Sequence, residues 1–236
     1  MVWYKIMADT INVIIGYDER EAVAFHTCVQ SIISNTSCHV NIIPLCLKNF
    51  LKYKENHEDG SNEFIYSRFL SPYLMNFEGW VLYLDGDMVC KGDLKKLWEL
   101  KNENYAVQVV KHDYKTKMNK KYFGNINENY PRKNWSSVIL WNCNHAANNC
   151  LIPEFVNKKS GAYLHRFKWL LDTQIGELDK VWNWLAIEYE DNQKANIVHY
   201  TLGTPCFDEF YDTSMAQYWK KYFKELLQGI GKKAKI

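Results

Sequence analysis

One stretch limits the folds open to this chain: Trp80-Val81-Leu82-Tyr83-Leu84-Asp85-Gly86-Asp87, an apolar run ending in two carboxylates around a glycine. A segment that is apolar at every position, instead of alternating, predicts a strand covered on both faces, as in parallel sheets flanked by helices. In such sheets ligands collect at the carboxyl ends of the strands, which is where Asp85 and Asp87 fall. Successive strand side chains point to opposite faces, but Gly86 lets the chain turn, so both carboxylates can face one hard cation. That arrangement suits a diphosphate carried on a divalent metal. An Asp- and Gly-rich strand exit also serves as a plain turn, and the stretch alone leaves both readings open.

The segments before it predict a β-loop-α start. Ile11 to Ile15 reads as a strand, Gly16-Tyr17-Asp18 as a loop, and Ala22, Phe25, Val29, Ile32 and Ile33 as the apolar stripe of a helix. Asp18 with Glu21 three residues on reads as a helix cap, and the same loop is where a nucleotide base would lie. There is no Gly-x-Gly-x-x-Gly signature and no phosphate-binding P-loop. Val40 to Leu45 predicts a second strand, and Phe64 to Met75 a helix interrupted near its end by Pro72. Arg68 lies in that helix, where its guanidinium either extends to solvent or matches phosphate oxygens.

Downstream, a short helix is predicted around Leu94, Leu97 and Trp98, with strands at Ala106 to Val110, Ser136 to Trp141, Ala186 to Tyr189 and Ala195 to Tyr200. Residues 111–134 are polar and aperiodic, a length that fits a lid or binding loop as well as a solvent loop. Met215, Trp219, Tyr222, Phe223, Leu226 and Leu227 stripe a helix over about 208–228, placed to dock on the core. A basic tail, 229–236, follows it and permits weak attraction to an anionic surface.

Composition narrows the class. The 236 residues suffice for one domain spanning 1–236, and a net charge of +2 gives no reason to invoke nucleic acid. The 7 cysteines are odd in number and include no Cys-x-x-Cys, which fits reduced thiols in a cytoplasm better than a disulfide framework or a zinc site. No stretch is long and apolar enough for a membrane span, and Met1 to Thr10 lacks the apolar core of a signal peptide, so a soluble protein is expected. Sequons at Asn35 and Asn134 are read as accidental.

Several stretches together resemble one family. Phe64-Ile65-Tyr66-Ser67-Arg68-Phe69-Leu70, followed by Tyr83-Leu84-Asp85-Gly86-Asp87, is similar to the Tyr-x-Arg-Leu and Tyr-Leu-Asp-x-Asp pair of family 8 glycosyltransferases, the group of glycogenin and the bacterial lipopolysaccharide galactosyltransferases. Trp135-Ser136-Ser137-Val138 resembles that family's Asn-Ser-Gly-Val strand, and His199-Tyr200-Thr201-Leu202-Gly203 its His-x-x-Gly. The ordered set, over about residues 11–205, is more specific than any member of it. The short chain also resembles compact GT-A domains encoded by large algal viruses, which would place it in a host cytoplasm.

The resemblance implies a single α/β GT-A domain, a Rossmann-like nucleotide-diphospho-sugar transferase with a mixed, mostly parallel sheet flanked by helices. It implies Mn²⁺ or Mg²⁺ held by Asp85, Asp87 and His199, chemistry that suits a metal accepting both carboxylate oxygen and imidazole nitrogen. Arg68 takes a diphosphate or donor-sugar role, Gly16, Tyr17 and Asp18 the base and ribose loop, and Gly86 and Gly203 places beside the donor. The implied activity is transfer of a sugar, from a UDP-sugar by preference, to a hydroxyl on a glycan, lipid-linked sugar or protein, with retention preferred. Asp172 is the residue expected near the sugar, and Lys111, His112 and Asp113 are further contacts.

The chain departs from the family pattern in three places. Trp135-Ser136-Ser137 stands for Asn-Ser-Gly, Asp172-Thr173-Gln174 for Asp-Gln, and Thr204-Pro205-Cys206 where Lys-Pro-Trp is usual. Other readings are an aspartate-nucleophile phosphatase using Asp85 and Asp87, a sugar nucleotidylyltransferase, and a noncatalytic sugar-binding module. The phosphatase motif normally begins its chain and continues into Thr, and Gly16-Tyr17-Asp18-Glu19-Arg20 matches poorly the Gly-rich loop that a nucleotidylyltransferase needs.

Overall fold

The computed structural model describes residues 10–60 and 62–232, the side chains of 229–232 excepted. The reading of Met1 to Thr10 therefore lies, but for Thr10, outside the described residues, as do residues 233–236 of the basic tail.

A six-stranded sheet runs in the order β2-β1-β3-β6-β5-β7, formed by β1 (Ile11–Tyr17), β2 (Val40–Cys46), β3 (Trp80–Leu84), β5 (Val107–Val110), β6 (Val138–Asn142) and β7 (Ile175–Leu178). β1 pairs in parallel with β2 and β3, β5 pairs in parallel with β7, and β6 runs antiparallel between β3 and β5. The sheet is thus mixed and mostly parallel, with one reversed strand beside its centre.

All of β3 is buried, and its side chains alternate between two cores. Val81 and Tyr83 join the cluster that contains Phe69, Trp141 and Phe167, while Leu82 and Leu84 join the one with Phe25, Ile32 and Leu97. This two-sided burial is why the run is apolar at every position. Helix α1 (Ala22–Asn35) covers the second face, and the remaining α-helices are α2 (Ser71–Leu74), α3 (Leu94–Trp98), α4 (Pro153–Lys158), α5 (Gly161–His165) and α6 (Ala216–Lys232).

A second, three-stranded sheet decides where the site lies. Its order is β4-β9-β8, from β4 (Met88–Cys90), β8 (Trp184–Leu185) and β9 (Ile197–His199). β4 starts directly after Asp87 and pairs antiparallel with β9, with Met88 opposite His199. The Tyr200 N–H donates to the Asp87 carbonyl at 3.0 Å. This register brings the end of the acidic stretch against a histidine more than a hundred residues away in sequence. Met215, Trp219 and Tyr222 of the C-terminal segment bury against this sheet, whereas Leu227, expected in the same stripe, is half exposed.

Three predicted elements differ. Pro72 sits in the first turn of α2 and starts that helix, because a missing N–H is harmless there; the preceding Ser67–Leu70 is a 3₁₀ turn. Ala186 to Tyr189, expected as a strand, form none: β8 ends at Leu185 and the chain turns at Ile187, which has φ +70°. The C-terminal helix begins at Ala216 instead of about 208. Both sequon amides are engaged internally: Asn35 donates to Ser31, Cys90 and Tyr222, and Asn134 to Tyr114 and Thr201. Among the described residues no helix is long and apolar enough to cross a membrane.

Candidate active site

Asp85, Asp87 and His199 each offer a ligand atom, and those atoms lie within 4.8 Å of one another. The two carboxylates leave the end of β3 and the histidine ends β9. Gly86 between them is obligatory, because a Cβ there would run into the Gly16 carbonyl of the neighbouring strand end.

The two carboxylates are held differently. Asp85 Oδ1 accepts from the Tyr83 hydroxyl at 2.7 Å and pairs with the Arg68 guanidinium at 2.7 Å. Arg68 also donates to the Ser136 carbonyl at 3.0 Å and to the Ile65 carbonyl at 3.1 Å, so its fork is tied to Asp85 and the backbone. Burial holds the Asp85 carboxyl above its ordinary value despite Arg68, and Asp87 adds to the rise. Burial also acts to raise Asp87, but the adjoining His199 ring and then Lys121 outweigh it and keep Asp87 low.

Asp87 Oδ1 is buried and accepts no well-formed hydrogen bond, although His199 Nε2 stands 3.2 Å away. A buried carboxylate oxygen without a donor is costly unless a cation meets it. Two carboxylates and an imidazole, one oxygen of them unsatisfied, fit a divalent ion such as Mn²⁺ or Mg²⁺.

Beside the triad lies a cavity of about 670 Å³, lined by Arg68, Asp85, Asp87 and His199 and, from the 111–134 segment, by Lys121, Tyr130 and Lys133. Sequence reasoning did not single out Lys121, Lys133, Tyr130, His165 or Arg166, all of which line it. A lysine in a polar loop carries no signal of its own. Lys133 donates to Asn127 Oδ1 and the Glu128 carbonyl, each at 2.5 Å, and its ammonium is pushed down to about 8 by burial and then by Lys121. Lys121 makes no ion pair or side-chain hydrogen bond among the described residues; burial lowers it, and Asp87 and Asp85 pull it back toward the charged form. On another part of the wall, the Ser136 hydroxyl and His165 Nδ1 are 2.7 Å apart, and His165 Nε2 and Arg166 Nε are buried without partners.

The 111–134 segment is ordered by side chains. Glu188, buried, accepts from the Thr116 hydroxyl at 2.6 Å and the Lys117 N–H at 2.8 Å. The Tyr122 N–H donates to the Leu202 carbonyl at 2.8 Å, tying the segment to the exit of β9.

Other expected residues stand apart from the cavity. Gly16 is required by packing, since a Cβ there would lie 2.5 Å from the Phe64 ring. Tyr17 meets the edge of Phe25, and Asp18 caps the turn after β1, its buried carboxylate held low by Arg20 against the opposing effect of burial. Glu21, also buried, is pushed up to about 8 by burial and then by Asp87. Gly203 packs under the Phe210 ring. His112, expected as a further contact, is buried with Nδ1 2.7 Å from the Tyr189 hydroxyl, and Lys111 and Asp113 do not line the cavity. Asp172, expected near the sugar, does not reach the cavity: its side chain is 83% exposed and pairs with Arg132 at 2.5 Å. The reason is local, because the 3₁₀ turn Asp172–Gln174 leads directly into β7, and the side chain of Gln174 folds back onto the Leu171 N–H.

Comparison with known proteins bears on this geometry. Residues 24–147 match the family described as Glycosyl transferase family 8. Protein CDI of Arabidopsis thaliana is 39% identical over 223 residues, covering 91% of this chain and 86% of that protein. Among solved structures, the apo WbbM bifunctional glycosyltransferase superposes with a TM-score of 0.66 at 15% identity, over 93% of this chain and 51% of its own, so the present chain spans about half of that protein. The galactosyltransferase LgtC, solved with donor and acceptor sugar analogs, gives 0.58 at 12% identity over 91% and 96%. These two share the fold.

Proposed function

Because this chain belongs to glycosyl transferase family 8, we propose that it is a metal-dependent glycosyltransferase that uses a nucleoside-diphosphate sugar, a UDP-sugar by preference. The observation that carries the reading is the convergence of Asp85, Asp87 and His199 beside the cavity, with Asp87 Oδ1 buried and unsatisfied. These three residues would hold Mn²⁺ or Mg²⁺. When bound there, the ion supplies a Lewis acid for the diphosphate oxygens, offsetting charge on the leaving group.

The chain's own residues do the rest. Arg68 acts through Asp85: by pairing with it, the guanidinium holds a buried carboxylate in place and opposes its protonation. Lys121, drawn toward Asp87 and Asp85, is the cation we assign to the leaving diphosphate, since Arg68 is tied to Asp85 and Lys133 to Asn127 and Glu128. The lysine of the family's Lys-Pro-Trp is missing from this chain, and a preorganised cation at a developing negative charge lowers the barrier. Ser136, His165 and Arg166 offer the hydrogen-bonding wall for the sugar.

In the transfer, the bond from the anomeric carbon to the diphosphate oxygen breaks with its electron pair leaving on the diphosphate. The acceptor hydroxyl oxygen forms the new bond, and its proton passes to the departing phosphate oxygen. Retention rests on the family resemblance. The acceptor is a hydroxyl on a glycan, a lipid-linked sugar or a protein.

A thermal-shift panel of nucleotide sugars with and without Mn²⁺ tests the reading, since a ligand that binds only the folded state raises apparent stability. A shift with one donor that requires the cation is expected. Equal shifts in chelator and in Mn²⁺ would remove the metal from the function.

A further inference from the structure

His199 has two ring nitrogens, and only one faces Asp87. Nε2 lies 3.2 Å from Asp87 Oδ1, while Nδ1 lies 3.1 Å from Oδ1 of Asn183. In a neutral imidazole one nitrogen carries the proton and the other a lone pair, and the hydrogen bond made by the first decides what the second presents. The state of the metal-facing nitrogen therefore depends on which end of the Asn183 amide meets Nδ1.

The surroundings of Asn183 settle that orientation. The residue is fully buried, just after the 3₁₀ turn Lys180–Trp182 and just before β8. Its Nδ2 donates to the Ser137 hydroxyl oxygen at 2.8 Å and to the Asn134 carbonyl at 3.3 Å. The Ser137 hydroxyl gives its own proton to the same Asn134 carbonyl, at 2.7 Å, so toward Asn183 it acts as an acceptor. A flipped amide would set its oxygen against a carbonyl that can only accept. Asn134 has the left-handed backbone, φ +61°, that asparagine tolerates at little cost.

We infer that Asn183, aimed by Ser137 and Asn134, holds a proton on His199 Nδ1 and so leaves Nε2 as the nitrogen that turns to a cation beside Asp87. Asn183 is a positioning residue, acting through His199. The lock itself stands independently of glycosyl transfer, and its use rests on the metal site proposed above. Ser137 serves both halves of that site: its hydroxyl aims Asn183, and its carbonyl accepts the Asp85 N–H at 3.0 Å. The Trp135-Ser136-Ser137 stretch, where the sequence departs from its resembling family, thus links the strand that ends in Asp85 to the histidine. Outer partners of this kind typically change metal affinity by about 10- to 100-fold.

The test begins with protein labelled with ¹⁵N in histidine, its spectrum taken without metal and with saturating Mg²⁺. His199 Nδ1 is expected to carry its proton in both states, and Nε2 to be bare once the ion is bound; a ring whose Nδ1 lacks the proton in either state overturns the inference. Binding of Mn²⁺ alone is then followed by the electron paramagnetic resonance signal of the free ion. Asn183→Ala is expected to weaken binding by about 10- to 100-fold, and Asn183→Asp, which keeps an acceptor for Nδ1–H but sets its second oxygen against the Asn134 carbonyl, to recover part of it. A folded Asn183→Ala protein that binds Mn²⁺ as wild type does overturns the inference. Where Asn183→Ala fails to fold, the wild-type spectrum decides by itself. A wild type with the Nδ1–H ring but no affinity for Mn²⁺ upholds the lock and counts against the metal-dependent function.

Discussion

On the strand side of the cavity, Asp85 and Asp87 lie between β3 and β4 and His199 ends β9, and the pairing of β4 with β9 is fixed by main-chain hydrogen bonds. On the loop side, Lys121, Tyr130 and Lys133 ride on residues 111–134, held by side-chain partners such as Glu188 and by the main-chain bond from Tyr122 to Leu202. The strand side is specified by register: a slip of one residue would turn His199 to the other face of its sheet. The loop side is specified by side-chain partners that lie far away in sequence. Substitutions on the strand side should therefore divide cleanly into those that remove chemistry and those that remove a buried partner, and substitutions on the loop side should alter rate.

The largest effect is expected at Asp87. Asp87→Asn keeps shape but loses the charge that meets a hard cation, and sugar transfer should fall on the order of 10³-fold or more with the thermal midpoint nearly unchanged. A variant with near-normal turnover would break the strand-side account.

Arg68→Met separates the other carboxylate from this one. It leaves Asp85 buried without its counter-charge, and denaturant unfolding should show a loss of roughly 3–5 kcal/mol. Unchanged stability together with lost donor binding would instead return Arg68 to a direct diphosphate role.

Lys121→Met tests the loop side. The lysine's attraction grows as charge develops on the leaving diphosphate, so kcat should fall by about 10²-fold with little change in donor KM. A rise in KM with kcat intact would assign Lys121 to ground-state binding.

Asp172→Asn should do least. Its carboxylate is exposed and paired with Arg132, and turnover should change by less than about fivefold. A collapse of kcat with donor affinity intact would show that the residue swings into the cavity when substrate binds.

The same division explains what could be read from the sequence. Trp80 to Asp87 was legible because two-sided burial and a glycine turn are local properties, and the parallel β1-β3 core followed from similar runs. His199 was legible through its place in an ordered motif set, since nothing in Ile197-Val198-His199 alone marks a ligand. Asn183 and Lys121 carried no local signal, because their positions are set by partners some fifty to eighty residues away, such as Asn134 and Ser137 for the one and the β9 exit for the other. Asp172 stands away from the cavity for the complementary reason: the added residue in Asp172-Thr173-Gln174 lies in a turn that leaves the carboxylate at the surface.

The central claim is that a nucleoside diphosphate binds here through a divalent ion held by Asp85, Asp87 and His199. Calorimetric titration of UDP into the wild-type protein, in Mn²⁺ and in chelator, measures it directly. The account predicts binding in Mn²⁺ that is lost in chelator, and reciprocally tighter Mn²⁺ binding when UDP is present. Equal UDP affinity in the two solutions would contradict it.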